Sequence, residues 1–249
     1  MRVVAIANQK GGVGKTTTVV NVGAGLSRLG KKVLLVDLDP QAHLTESLGL
    51  APRDDSFTIY EFMKGEAPFG EVTVESHGMK VIPSALELSG AEMELASVTG
   101  REFLLREALE GVDGFDWVLL DCPPNLGILT VNALVMAREV FIPLQTEYLA
   151  MKGLKKLLET VEIVRKRLNG ELAVTGIIGT RYDARKRLNR EVLDLIREHF
   201  GDRLFKTLIR DNVALAEAPS HRQDIFNYRP NSHGADDYMN LCKEIIAGG

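Results

Sequence analysis

Gln9-Lys10-Gly11-Gly12-Val13-Gly14-Lys15-Thr16-Thr17 is the stretch whose reading decides the fold. Before it, Val3-Val4-Ala5-Ile6-Ala7 is a short apolar, β-branched run of buried-strand type. After it, Val19 to Leu29 places apolar residues at helical spacing, and Gly30 closes the run. Strand, glycine-rich turn and helix in that order read as a phosphate-binding loop. Glycines let consecutive backbone N–H groups turn inward on an anion, and the helix N-terminus adds partial positive charge. Lys15 neutralises terminal phosphates and the Thr16 hydroxyl is placed to ligate Mg²⁺. Gly11, Gly12, Val13, Gly14, Lys15, Thr16 and Thr17 are therefore the expected nucleoside triphosphate cradle.

The general pattern G-x-x-x-x-G-K-[ST] requires a glycine at position 9, where this chain has Gln9, followed by Lys10-Gly11-Gly12. This K-G-G-x-G-K-T-T form resembles the deviant Walker A loop of the ParA/MinD group of P-loop ATPases. The resemblance to ParA-type partition ATPases extends over nearly the whole chain. It implies an α/β P-loop NTPase fold in a single domain, with a mostly parallel twisted sheet and helices on both faces.

At 249 residues and 45% hydrophobic composition, one α/β domain with a sizeable core is expected. The net charge of −4 means that any nucleic-acid contact must come from a local basic patch. Cys122 and Cys242 lie far apart and form no metal-ligand spacing, which fits a reducing compartment and a cytoplasmic protein. No apolar run approaches the roughly 20 residues of a membrane helix, and Met1-Arg2 leads straight into the first strand without a signal peptide.

Lys32-Val33-Leu34-Leu35-Val36-Asp37-Leu38-Asp39-Pro40 is a second buried strand that ends in two carboxylates. In a doubly wound sheet, ligands sit beyond the C-terminal ends of strands, so Asp37 and Asp39 project towards the phosphates; turn formation by Asp before Pro is the alternative. The family resemblance matches Asp37-Leu38-Asp39-Pro40-Gln41 to the signature D-x-D-P-Q. It implies that Asp39 helps position the attacking water and that Asp37 supports the Mg²⁺ and phosphate site. From Ala42 to Gly100 the signals are weaker: a helical turn over Thr58 to Lys64, a strand at Lys80-Val81-Ile82-Pro83, and an amphipathic helix over Leu86 to Val98 in which Met93 is a core residue. Glu102 to Leu109 is a short helix, and Phe115-Asp116-Trp117-Val118-Leu119-Leu120-Asp121-Cys122-Pro123-Pro124 is the next buried strand. Asp121 is the Walker B candidate, placed to hold Mg²⁺ through a water. The neighbouring Cys122 resembles a ligand of the nitrogenase iron protein, but no second cysteine follows at usable spacing, so it reads as a small buried residue.

Glu139-Val140-Phe141-Ile142-Pro143 is another strand, with Gln145-Thr146-Glu147 at its exit, and a long amphipathic helix carries Leu154, Leu157, Leu158, Val161, Val164 and Leu168. After a strand over Leu172 to Gly179, the segment from Thr180 to Arg190 has the densest positive charge in the chain and opens a helix running to about Phe200. Such a stripe can contact DNA phosphates with little sequence preference, or simply be a solvated face. The resemblance implies the DNA role and aligns Arg185 with it, beside Lys186 and Arg187. Leu204 to Ile209 reads as a late strand, and the segment from Asp211 to Ser220 resembles the family's N-V-x-L-x-E-A-P-S. Members that read I-P-R-N-V-R carry an arginine where this chain has Ala214; Arg210 and Arg222 bring positive charge nearby, so a relocated patch is expected. The same resemblance makes Asn212 a base or ribose contact. The last helix, about Ala235 to Ile246, puts Tyr238, Leu241, Cys242, Ile245 and Ile246 on one face, while Asp236, Asp237 and Glu244 outnumber Lys243. That is the wrong charge for the membrane-binding helix of a MinD-like protein.

The sequence therefore predicts a cytoplasmic, nucleoid-associated ATPase using ATP/ADP and Mg²⁺, with Lys10, Lys15, Asp37 and Asp39 as catalytic groups. The resemblance implies a homodimer in the ATP state, with Lys10 reaching the partner protomer's phosphates, nonspecific DNA as substrate surface and a ParB-like activating partner. It implies no membrane. A protein-cargo ATPase, a MinD-like switch and a dethiobiotin synthetase-like ligase are the alternatives.

Overall fold

Strands β1 (Arg2–Ile6), β2 (Val33–Asp37), β3 (Val74–Ser76), β4 (Met79–Ile82), β5 (Trp117–Asp121), β6 (Glu139–Gln145) and β7 (Ala173–Thr180) lie in one sheet, ordered β3-β4-β2-β5-β1-β6-β7. Every pairing is parallel except β3 with β4. The computed structural model describes residues 1–50, 56–146 and 150–248, and the side chains at 91–93, 96 and 150–153 are outside its description. Glu147 and the Met93 side chain, both singled out above, thus lie outside the described residues.

The helices are α1 (Lys15–Arg28), α2 (His43–Ser47), α3 (Ile59–Lys64), α4 (Phe69–Val72), α5 (Leu88–Glu94), α6 (Leu104–Ala108), α7 (Ile128–Met136), α8 (Ala150–Arg167), α9 (Arg187–Phe200), α10 (Val213–Glu217), α11 (Ile225–Tyr228) and α12 (His233–Ala247). They cover both faces of the sheet, which is why β2 and β5 are buried at every residue and show no polar alternation. Side-chain alternation instead divides the core. Val3, Ala5, Leu34, Val36, Val118 and Leu120 face a cluster completed from α3, α7, α8 and α9. Val4, Ile6, Leu35 and Leu119 face a second cluster with α1, α2, α11 and α12.

Several expected elements are present with changed ends. α3 starts where expected because Thr58 and Glu61 form a reciprocal capping box. The helix over Leu86 to Val98 is α5 followed by a 3₁₀ turn at Leu95–Ser97, and the one over Glu102 to Leu109 begins as a 3₁₀ turn at Arg101–Phe103. β6 runs on to Gln145, so that residue ends the strand and does not merely follow it. The antiparallel pair β3–β4 is joined by His77 and Gly78 at φ 52 and φ 75, a two-residue turn whose positive φ values match strand twist. The expected strand over Leu204 to Ile209 is not formed; two isolated bridges, Ile177 to Leu204 and Tyr182 to Arg210, stand in its place. The reason is local. The N–H groups of Lys206 and Thr207 donate to the Glu244 carboxylate of α12 at 2.6 and 2.9 Å, leaving the segment without a continuous ladder.

Candidate active site

The glycine loop joins β1 to α1 above the C-terminal edge of the sheet. Gly12 and Gly14 adopt φ of 71° and 91°, the left-handed region that a side chain resists, and around Gly12 there is open space. α1 has no acidic residue in its first turn and no side-chain cap, so its first N–H groups and its dipole are available to an anion. Lys15, the first residue of α1, is buried. Two strand ends grip the loop from outside: Gln145 Nε2 donates to the Gly12 carbonyl at 2.7 Å, and Thr180 Oγ1 donates to the Val13 carbonyl at 2.9 Å. Lys10 folds onto the same support. Its N–H donates to Asn8 Oδ1 at 3.0 Å, and its ammonium donates to Gln145 Oε1 at 2.9 Å.

The carboxylates take different environments although they sit side by side. Asp37 and Asp121 are register partners across β2 and β5, and both are fully buried. Asp37 is saturated: Oδ1 accepts from Asp39 N–H at 3.1 Å, and Oδ2 accepts from Thr45 N–H at 3.0 Å and Thr45 Oγ1 at 2.7 Å. Burial still pushes its pKa up to about 6 against those hydrogen bonds. Asp39, 7% exposed, accepts from Gln41 N–H at 3.0 Å. Asp37, with its three hydrogen bonds, anchors the turn of Asp-x-Asp-Pro that carries Asp39. Neither oxygen of Asp121 has a hydrogen-bond partner of acceptable geometry. Burial first, then the charge of Asp37, hold its pKa well above the usual carboxylate range, while the nearby Thr16 hydroxyl and Lys15 oppose the shift.

A buried carboxylate without a partner is costly, and a cation beside it removes the cost. Asp121 therefore fits a Mg²⁺ role better than Asp37, whose oxygens are already taken. Among the described residues no group of three or more His, Cys, Asp or Glu side chains could hold a metal ion. Cys122 is buried, and burial pushes its thiol pKa up, so it is a packing residue as expected.

Beside the loop lies a cavity of about 550 Å³ lined by Gly12, Gly14, Thr17, Arg181, Asn212 and Leu215, among others. Asn212 caps α10 by accepting from Ala214 N–H at 2.9 Å, and the exposed Val213 follows it at the mouth. The structure thus brings Asn212 to the glycine loop, 200 positions away in the chain, as a base or ribose contact requires.

Arg185, Lys186 and Arg187 stand together on the segment leaving β7, all exposed. Arg185 Nε and Nη2 each lie 2.9 Å from an oxygen of Asp183, whose pKa those bonds lower to about 2, and Arg187 pairs with Glu191 at 2.7 Å. Arg210 lies on the segment that bridges to Tyr182, close to Arg185 in the chain. Its guanidinium is clamped on Asp237 of α12 at 2.6 to 3.0 Å, an ion pair that leaves the arginine side chain 45% exposed. Ala214 is itself buried, so its position is not a surface vacancy that a neighbour must fill. Arg222 closes a 3₁₀ turn with φ 56 and packs its stem against Gly49.

Sequence reasoning missed Thr45, Thr180 and Asn189 as supports, and noted Gln145 without a role. For Gln145 and Thr180 the signal was present, as polar residues ending the apolar strands β6 and β7; Thr45 and Asn189 lie in helices and carried none.

The family model described as an AAA domain matches residues 1–174. The chain is 46% identical over 253 residues to the sporulation initiation inhibitor protein Soj of Bacillus subtilis, covering 100% of this chain and 99% of that one. It is 42% identical to the chromosome partitioning protein ParA of Caulobacter vibrioides, covering 99% and 94%. A solved structure of cobyrinic acid a,c-diamide synthase from Mycobacterium smegmatis with bound ADP and magnesium aligns with a TM-score of 0.87 at 38% identity, covering 99% of this chain and 94% of that one.

Proposed function

The chain belongs to the Soj/ParA family of partition ATPases, and on that premise we propose that it is a Mg²⁺-dependent ATPase whose ATP-bound dimer holds DNA without sequence preference and releases it after hydrolysis. The observation that carries the reading is the unpartnered, fully buried Asp121 carboxylate beneath a glycine loop with a buried Lys15. The loop amides and Lys15 bind the phosphates, and Thr16 with Asp121 hold the metal. Mg²⁺, when bound, neutralises charge on the transferring phosphoryl group. Asp39 orients the attacking water, and Asp37 keeps Asp39 in place. Lys10 leaves Gln145 and places its charge on the phosphates of the second protomer. Asn212 contacts the base or ribose.

The output is carried by Arg185, Lys186 and Arg187, doubled in a dimer, so that two modest patches gain avidity. The Asp183 and Glu191 partners of these arginines are surface pairs that cost little to exchange for phosphates. Chromosome or plasmid partition on the nucleoid, with a ParB-like protein completing the site, is the favoured context; positioning of a protein cargo by the same cycle is the second. A membrane switch is disfavoured because the apolar face of α12 is already buried on the sheet and α1. The solved relative bears the name of an amide synthase, but identity to the partition proteins is higher, 46% against 38%.

The test is retention of the protein on nonspecific DNA with ATP and Mg²⁺. Retention is expected with the nucleotide, absent with ADP, and lost in Arg185→Glu. A protein that binds DNA equally without ATP, or an Arg185→Glu variant that behaves as wild type, overturns the DNA output.

A further inference from the structure

A chain of polar contacts leads from the glycine loop to the cationic segment. Gln145, 4% exposed at the end of β6, holds Gly12 and Lys10 through the two ends of its amide. The next carbonyl, that of Thr146, accepts from Asn189 Nδ2 at 2.6 Å. Asn189 Oδ1 in turn accepts from Asp183 N–H at 2.9 Å, and the Asp183 carboxylate holds Arg185. A parallel tie joins the strand ends, since Thr146 N–H donates to the Thr180 carbonyl at 3.3 Å and Thr180 Oγ1 holds Val13.

Asn189 is the informative member. It lies in the first turn of α9, where Arg187, Arg190, Glu191, Asp194 and Arg197 are exposed, yet it is 5% exposed. Burying an amide is unfavourable unless both ends are satisfied. Closing the 183–189 turn uses only the acceptor end. The donor end crosses to β6, so the cationic loop is fastened to the strand end that grips the nucleotide loop.

We propose that Asn189 is a positioning residue that couples the nucleotide state of the glycine loop to the arrangement of the cationic segment 181–187. This rests on reading the loop as a nucleotide site and deepens it by naming the route to the output. Nucleotide binding that alters the hold of Gln145 on Gly12 and Lys10 shifts the adjoining Thr146 carbonyl. Through Asn189, that shift reaches Asp183 and Arg185.

The experiment is hydrogen exchange of peptides covering residues 181–187 in the full chain, with and without Mg-ATP, for wild type, Asn189→Ala and Asn189→Asp. Asn189→Asp keeps an acceptor for Asp183 N–H and removes the donor to Thr146, so it separates coupling from turn formation. In wild type, ATP should change exchange in this segment by about fivefold or more. Both variants should lose that change while ATP affinity, titrated directly, stays within about twofold of wild type. An unresponsive wild-type segment with ATP bound, or an undiminished response in Asn189→Asp, overturns the proposal; if Asn189→Ala does not fold, Asn189→Asp decides. DNA retention measured in parallel keeps the two readings apart: a segment that responds to ATP in a protein that never holds DNA sinks the DNA output and leaves the coupling intact. A wild type that does not bind ATP sinks both.

Discussion

Asp121 and Asp37 show how two identical side chains on adjacent strands acquire different tasks. The difference is hydrogen bonding: Asp37 accepts three bonds and Asp121 none. Asp121→Asn should therefore raise the thermal stability of the nucleotide-free protein at pH values where Asp121 is ionised, by about 1–3 kcal/mol because the amide carries no buried charge, while lowering Mg²⁺-dependent ATP hydrolysis at least about a hundredfold. A melt and a phosphate-release assay on the same sample check both; unchanged hydrolysis would remove Asp121 from the metal site. The pH dependence has a definite sign. A carboxyl whose folded pKa is raised binds its proton more tightly when folded, so stability falls as pH rises from the ordinary carboxylate value through the folded one. For Asp37 that window runs from 3.8 to about 6, with Asp121 extending the loss upward. The melting temperature of the metal-free protein should decline across it through these two groups, and Asp121→Asn should flatten the upper part of the decline. Both aspartates were recognisable in the sequence as carboxylates ending apolar strands. Their division of labour was not, because Thr45, which saturates Asp37, belongs to a helix that no local pattern assigns to the site.

At the scale of elements, α1 is held between the glycine loop and α12, and its small residues are what allow the approach. A Cβ built at Gly25 would lie 2.5 Å from Cys242 Sγ and 3.4 Å from the Phe226 ring. Gly25→Ala should cost about 1–3 kcal/mol by overpacking, and Cys242→Ala added to it should restore part of the loss. Additive melting temperatures in that double-mutant cycle would contradict the close packing. Glu244 of α12 offers a second check, since it satisfies the N–H groups of Lys206 and Thr207. Glu244→Gln keeps one acceptor and should alter exchange at these amides modestly, whereas Glu244→Ala should accelerate it by about tenfold, the loss of roughly one hydrogen bond. The late strand read from Leu204 to Ile209 fails for this reason: an apolar run predicts extended chain, but a carboxylate from a helix far along the sequence takes the donors a ladder would need.

For the whole molecule the deciding quantity is where charge remains available. Net charge is −4, so the attraction to DNA must be local and steeply dependent on salt. Arg185→Ala should reduce the slope of log affinity against log salt by about one per protomer, and Arg210→Ala should reduce it less, because the Arg185 side chain is 90% exposed and the Arg210 side chain 45%. Affinities measured across a salt series with Mg-ATP present decide this, and an equal slope change for the two variants would count against the assignment. What the sequence by itself determined was local: the glycine loop, the alternation of buried strands and amphipathic helices, and the acidic strand ends, since these depend on residue type and spacing within one segment. The tertiary structure alone decided which groups are spent and which remain available. Arg210 is tied to Asp237, Asp37 to Thr45, Lys10 to Gln145 and Asn189 to Thr146. Except in the Arg210 pair and the short-range Asp37 pair, one partner in each closes or follows a parallel strand whose sheet neighbour is distant in the chain. A hydrogen bond between residues brought together by such crossovers has no period or spacing to betray it, so its partners become visible only once the sheet order is known.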